Sequence, residues 1–213
     1  MHHTSSSHQH NFDIWDMPVD WFSGTIEQDI FKVLLVIWGV SELLIWVSTS
    51  SGKHSDRDSR FSDKGSKFLI ILGFCFSIYV SFAIRENTNL LLPNGFYWVG
   101  ALMMAFGIGL RCLSVWTLKS SFTLSVEVRS DQSLIRSGPY KYVRNPAYTG
   151  SILTLLGFAF VLKALLAPLA VLAICACSYG YRIFVEEGAL LNKFGDEYRD
   201  YCKHTWRLFP FII

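Results

Sequence analysis

"GPYKYVRNPAYTG", residues 138–150, is a polar, turn-rich knot in an otherwise apolar chain. It packs two prolines, two glycines, three tyrosines and two basic residues into thirteen positions. Two hydrophobic stretches follow it, at 147–162 and 165–184, and three precede it, at 30–48, 67–84 and 96–116. Each is near the roughly 17–25 residues that cross a hydrocarbon core. The composition agrees: of 213 residues 51% are hydrophobic and 17% charged, against about 25% charge in soluble domains. The knot therefore divides an all-α integral membrane protein of about five transmembrane helices. Three spans lie before it, and the last two form a helical hairpin after it. "KALLAP" closes that hairpin, with Pro168 placed in the first turn of the fifth helix, where a missing N–H costs little.

Loop charges test the count independently. Residues 1–28 hold no Lys or Arg, whereas 49–67 hold Lys53, Arg57, Arg60, Lys64 and Lys67. Residues 86–97 again hold none, while 119–145 hold Lys119, Arg129, Arg136, Lys141 and Arg144, and the tail from 182 holds five more. That alternation predicts five spans with the N-terminus outside and the C-terminus cytoplasmic. Lys163, in the hairpin turn, is the exception. The chain accordingly reads as a polar tail at 1–28, three spans with a solvated loop at 49–66, and a C-terminal unit at 119–213. The tail is expected to be disordered; it lacks the hydrophobic segment of a signal peptide.

Several function classes drop out. A net charge of +2 without a dense basic patch gives no argument for nucleic acid. The five cysteines show no C-x-x-C spacing, so neither a zinc site nor a disulfide framework is expected, and no metal is assigned. The "GIG" at 107–109 follows no strand, which removes a dinucleotide fingerprint. Gly100, Gly107 and Gly109 instead suit close helix packing, and Arg111 reads as snorkelling to the interface. Glu42, within the first span, is a functional candidate because an intramembrane acid is costly; the readings open to it are a paired structural role or the lining of a substrate tunnel.

The chemistry concentrates on two blocks placed on one membrane face. Asn145 and Pro146 suit the cap and first position of a helix, and Tyr140, Tyr142 and Tyr148 fall near its start. A helix N-terminus favours a carboxylate or phosphate. The second block, "YRIFVEEGALLNKFGDEYRDYCKHTWRLFPF" from Tyr181, puts Arg182 and Glu186 four residues apart, on one helical face. Opposite charges beside several tyrosines suit a ligand that carries both signs of charge.

"LIRSGPYKYVRNPAYTG", a hairpin, and then "RIFVEEGALLNKFGDEYRDYCKHTWRLFP" together resemble the isoprenylcysteine carboxyl methyltransferase family and the related phospholipid N-methyltransferases. The likeness covers about residues 125–213. It implies a membrane-embedded enzyme that uses S-adenosylmethionine, with a cytoplasmic cofactor site formed by the 119–146 segment and the C-terminal segment. By position, Gln132, Ser133, Leu134, Ile135, Tyr140, Asn145, Pro146, Ala147, Tyr148 and Glu186 would hold the cofactor, and Arg182 would be the catalytic, substrate-binding residue. The implied partner is a lipophilic substrate arriving from the bilayer, a prenylated cysteine or a phospholipid. The implied host is a bacterial inner membrane or the endoplasmic reticulum. The family usually has His where Asn145 stands, and an amide cannot titrate near neutrality. His204 is read as a surface residue. Carboxyl methylation is the leading expectation. The alternatives are phospholipid N-methylation, an NADPH-dependent reductase of the sterol-reductase type, and a non-enzymatic membrane scaffold.

Overall fold

A computed structural model describes residues 17–18, 21–50, 65–118 and 134–211. Within them run six helices: α1 (Thr25–Ser50), α2 (Ser66–Asn87), α3 (Gly95–Leu118), α4 (Pro146–Val161), α5 (Ala167–Phe194) and α6 (Asp196–Lys203). A 3-10 turn, Gly138–Lys141, precedes α4. Four helices are long and apolar enough to span a membrane, and α4 is a shorter apolar one. Five hydrophobic helices were expected and five are present, the last two as a hairpin. Gln132 and Ser133, most of the solvated loop and the first part of the N-terminal tail lie outside the described residues.

Two boundaries differ from the expectation. Met17, Trp21 and Phe22, placed in the tail by their polar surroundings, are buried against the end of the bundle where α1 begins. Gln28 ties this segment down by donating Nε2 to the Met17 carbonyl at 3.1 Å. The fifth helix runs ten residues beyond 184, because polar residues that end a hydrophobic stretch do not end a helix; Gly195, at φ 52°, does.

α4 is the centre. At 16 residues it is only about 24 Å long, shorter than a hydrocarbon core of about 30 Å. Most of its residues are buried by neighbours, so its ends meet protein and not lipid. Its most extensive partner is the antiparallel α3, and glycines set the distance. A Cβ on Gly107 would lie 2.6 Å from the Gly150 carbonyl oxygen, and one on Gly100 would lie 2.6 Å from that of Gly157. Nothing lies within 4 Å of such an atom at Gly109, so only two of the three expected packing glycines serve the contact. Phe158 of α4 meets Phe31, Trp38 and Phe82 at centroid distances of 5.7, 6.0 and 5.3 Å, which draws α1 and α2 onto the same core. Ser77, Ser81, Ser151, Thr154 and Ser178 each return a hydroxyl to the carbonyl four residues back, satisfying polar groups that lipid cannot.

The hairpin turn explains the dissenting lysine. Lys163 is 5% exposed, with Nζ 3.2 Å from Asn94 Oδ1 and its carbonyl accepting from Leu92 N–H at 2.7 Å. Its charge is enclosed in the end of the bundle instead of displayed on a loop, and burial holds the ammonium below its ordinary pKa.

Candidate active site

Tyr97 Oη donates to the Glu27 carbonyl, and Lys163 meets Asn94, so the N-terminal ends of α1, α3 and α5 lie level. From those ends Arg182 stands fifteen residues into α5, about 22 Å deep. It is 2% exposed, a position a guanidinium occupies only when paired. Its Nη2 lies 2.7 Å from Glu186 Oε1, and its Nε lies 2.9 Å from the same oxygen and 3.2 Å from Tyr148 Oη. Tyr148 completes the triangle by donating Oη to Glu186 Oε1 at 2.8 Å. Tyr148 and Glu186, from the two separate blocks, are therefore in direct contact. Tyr179, three residues before Arg182 and on its face, sets its ring edge-on to Tyr148 at 5.6 Å. Sequence reasoning missed Tyr179, although that i,i+3 spacing was available.

The neighbouring Glu187 has a different task. Its carboxylate draws in Arg144 Nε, Asn145 Nδ2 and Arg207 Nε, each at 3.3 Å, with Arg207 Nη2 at 2.8 Å from Oε2. Arg144 also donates Nη1 to the carbonyls of Cys202 and Thr205. Backbone bonds continue the seam: Arg144 N–H to Trp206 O at 2.7 Å, Asn145 N–H to Arg207 O at 3.2 Å, and Trp206 N–H to Tyr142 O at 2.9 Å. The residues before α4 are thereby locked onto the segment after α6.

Asn145 stands at the expected cap position, but its side chain makes no cap bond. Its Nδ2 is committed to Glu187 and to the Arg207 carbonyl, because the seam offers these acceptors on its own side. Among the other expected residues, Pro146 and Ala147 form the first turn of α4 beside Tyr148. Tyr140 is buried, with its carbonyl accepting from Tyr201 Oη at 2.6 Å; burial, the Glu186 charge and Tyr201 push its phenol well above the ordinary value. Leu134 and Ile135 are half-buried on the approach to the 3-10 turn. Tyr142 is 64% exposed and does not join the cluster. Arg111 does not snorkel: it pairs with Glu42. A groove of about 740 Å³ between α5 and α6 touches Glu187 but neither Arg182 nor Tyr148.

The family model described as phospholipid methyltransferase matches residues 96–197. A rice protein (Oryza sativa subsp. indica) named "Probable protein-S-isoprenylcysteine O-methyltransferase" is 31% identical over 192 residues, which are 86% of this chain and 95% of that one. The chain belongs to the isoprenylcysteine carboxyl methyltransferase family. The Dictyostelium discoideum protein-S-isoprenylcysteine O-methyltransferase is 34% identical over 121 residues, 54% of this chain. The chain spans 50% of that relative's length and 40% of the human protein's. A solved structure of a eukaryotic intramembrane Ras methyltransferase, itself an isoprenylcysteine carboxyl methyltransferase, superposes with TM-score 0.59 at 23% identity. It covers 87% of this chain and 68% of that one, so the helical membrane fold is shared. This family member carries its buried Arg–Glu–Tyr centre inside a fold that its relatives also use.

Proposed function

We propose that the protein transfers a methyl group from S-adenosylmethionine to the carboxylate of an isoprenylated cysteine or a similar lipophilic acid, at the cytoplasmic end of the bundle. One observation carries the reading: a buried Arg182, paired with Glu186 and touching Tyr148, stands at lipid depth beneath a cluster of tyrosines.

The donor set fits the cofactor. Glu186 is 24% exposed at its side chain, enough to take an ammonium or ribose hydroxyls while holding Arg182. Tyr148 and Tyr179 supply the aromatic faces that attract a soft cation, at about 0.5–2 kcal/mol. The start of α4 carries the partial positive charge that a carboxylate favours. When bound, the cofactor supplies an electrophilic methyl group on sulfur. Arg182, a fork of five donors, can orient an acceptor carboxylate bidentately. A carboxylate is already nucleophilic, so alignment and exclusion of water outweigh acid–base assistance. Among the described residues the histidine is His204, which is exposed and beside Asp200, remote from any such role. That favours a carboxylate over an amine, which must first lose a proton. The phospholipid description of the matching family model keeps the amine as the second reading. The charge pattern supports a cytoplasmic C-terminus.

Purified protein given methyl-labelled cofactor with a prenylated cysteine and with phosphatidylethanolamine separates the two. Base-labile label on the first supports the proposal; stable label on the second replaces it. Thermal stabilisation by NADPH and not by S-adenosylhomocysteine would favour a reductase, and stabilisation by neither would favour a scaffold. Arg182→Lys keeps the charge but loses the fork. We expect it to lower kcat by at least about tenfold, or about 1.4 kcal/mol of barrier, with cofactor affinity retained. Full turnover would remove Arg182 from its role.

A further inference from the structure

Away from the Arg182 centre, a second ion pair lies inside the spans. Glu42 of α1 and Arg111 of α3 meet through Nε–Oε1 at 2.5 Å and Nη2–Oε2 at 2.9 Å, with side chains 28% and 15% exposed. They stand seventeen and sixteen residues into their helices, about 24–26 Å deep, level with Arg182. The remaining Nη1 points to the Ala147 carbonyl at 3.5 Å, a weak approach by distance. It nevertheless places the guanidinium directly behind the first turn of α4. Gly150 lets α3 and α4 approach closely at this level: a Cβ there would lie 2.7 Å from the Arg111 backbone nitrogen. Tyr148 stands on that same turn.

We propose that Glu42 and Arg111 are positioning residues for methyl transfer: their bidentate pair fixes a guanidinium behind the start of α4 and so sets Tyr148 against Arg182 and Glu186. This rests on the methyltransferase reading. Packing alone does not account for the pair, because a buried ion pair is commonly no more stabilising than apolar side chains of the same volume. What it adds is direction. Two charge-assisted bonds hold a planar group at one angle, where a leucine–methionine contact would allow sliding. Methyl transfer is sensitive to such sliding, since a misplacement of about 1 Å can cost on the order of 100-fold.

The test compares wild type, Glu42→Gln and the apolar double variant Glu42→Leu/Arg111→Met in detergent. Three readouts are taken: thermal midpoint, kcat and KM for the methyl donor, and amide hydrogen exchange across residues 147–151. The double variant is expected to melt within a few degrees of wild type. Its kcat should fall by about tenfold or more while KM stays within about threefold, and its 147–151 amides should exchange faster. Glu42→Gln, which keeps one acceptor oxygen, should fall between the two. A folded double variant with wild-type kcat and wild-type exchange would reduce the pair to packing. If the double variant does not fold, the same result in Glu42→Gln overturns the proposal. Failure of the functional reading looks different: wild type then methylates no acceptor, while the exchange comparison still decides the pair.

Discussion

Glu186 and Glu187 are adjacent in sequence and divide two kinds of work. The first faces Arg182 and Tyr148, the second the seam formed by Arg144, Asn145 and Arg207. Neighbouring helical positions lie about 100° apart, so one acid faces the centre and the other its scaffold. Glu187→Gln should lower stability by about 1–3 kcal/mol, because it leaves the largely enclosed Arg144 guanidinium facing a neutral amide and loosens the half-exposed Arg207; an unchanged unfolding midpoint would contradict this. Tyr201 gives a prediction in pH. Burial pushes its phenol up to about 12 from an ordinary value of 10.0, while its Oη donates to the Tyr140 carbonyl. A raised folded-state value means stability that is intact below pH 10 and lost as pH rises through about 12. Thermal midpoints measured from pH 9 to 12 should show that loss in wild type. In Tyr201→Phe it should be blunted, from a lower baseline at neutral pH. The Arg182–Glu186 pair was legible from spacing alone. The role of Asn145 was not, since it depends on a carboxylate and a carbonyl 42 and 62 residues away.

Of the helices, the α3–α4 pair carries the sharpest test. Gly107→Ala forces a Cβ to 2.6 Å from the Gly150 backbone oxygen, so the helices must separate at a cost of about 1–3 kcal/mol. Gly109→Ala, with open space around the new atom, should be neutral or slightly stabilising, since Ala is the better helix former by about 1 kcal/mol. Equal midpoints for the two variants would refute the close approach. The hydrophobic stretches announced these helices, because a bilayer demands a long apolar run and leaves little choice of structure. Their polar ends were less legible. Once a helix leaves lipid its sequence turns polar without the backbone changing, and so α5 outran its apolar segment. α6 carries Tyr198 and Tyr201 as its buried face in a polar stretch too short to show a pattern.

At the scale of the molecule, orientation is the open expectation with a direct check. A cysteine placed at Thr88, between α2 and α3, should be labelled by a membrane-impermeant maleimide only from outside. Native Cys202, in α6, should be labelled only after the membrane is permeabilised; the reverse pattern would invert the topology. The division into spans was readable from the hydrophobic stretches, whereas the packing of Met17, Trp21 and Phe22 against one end of the bundle was not, because Asp16, Asp20 and Ser23 break their stretch before any period can show. The seam between Arg144–Asn145 and Trp206–Arg207 has a temporal meaning as well. A nascent chain leaves the ribosome from its N-terminus, so all five hydrophobic helices can enter the bilayer before Arg207 is exposed. The bundle can thus be seated in the bilayer while the seam that joins its two polar blocks is still open.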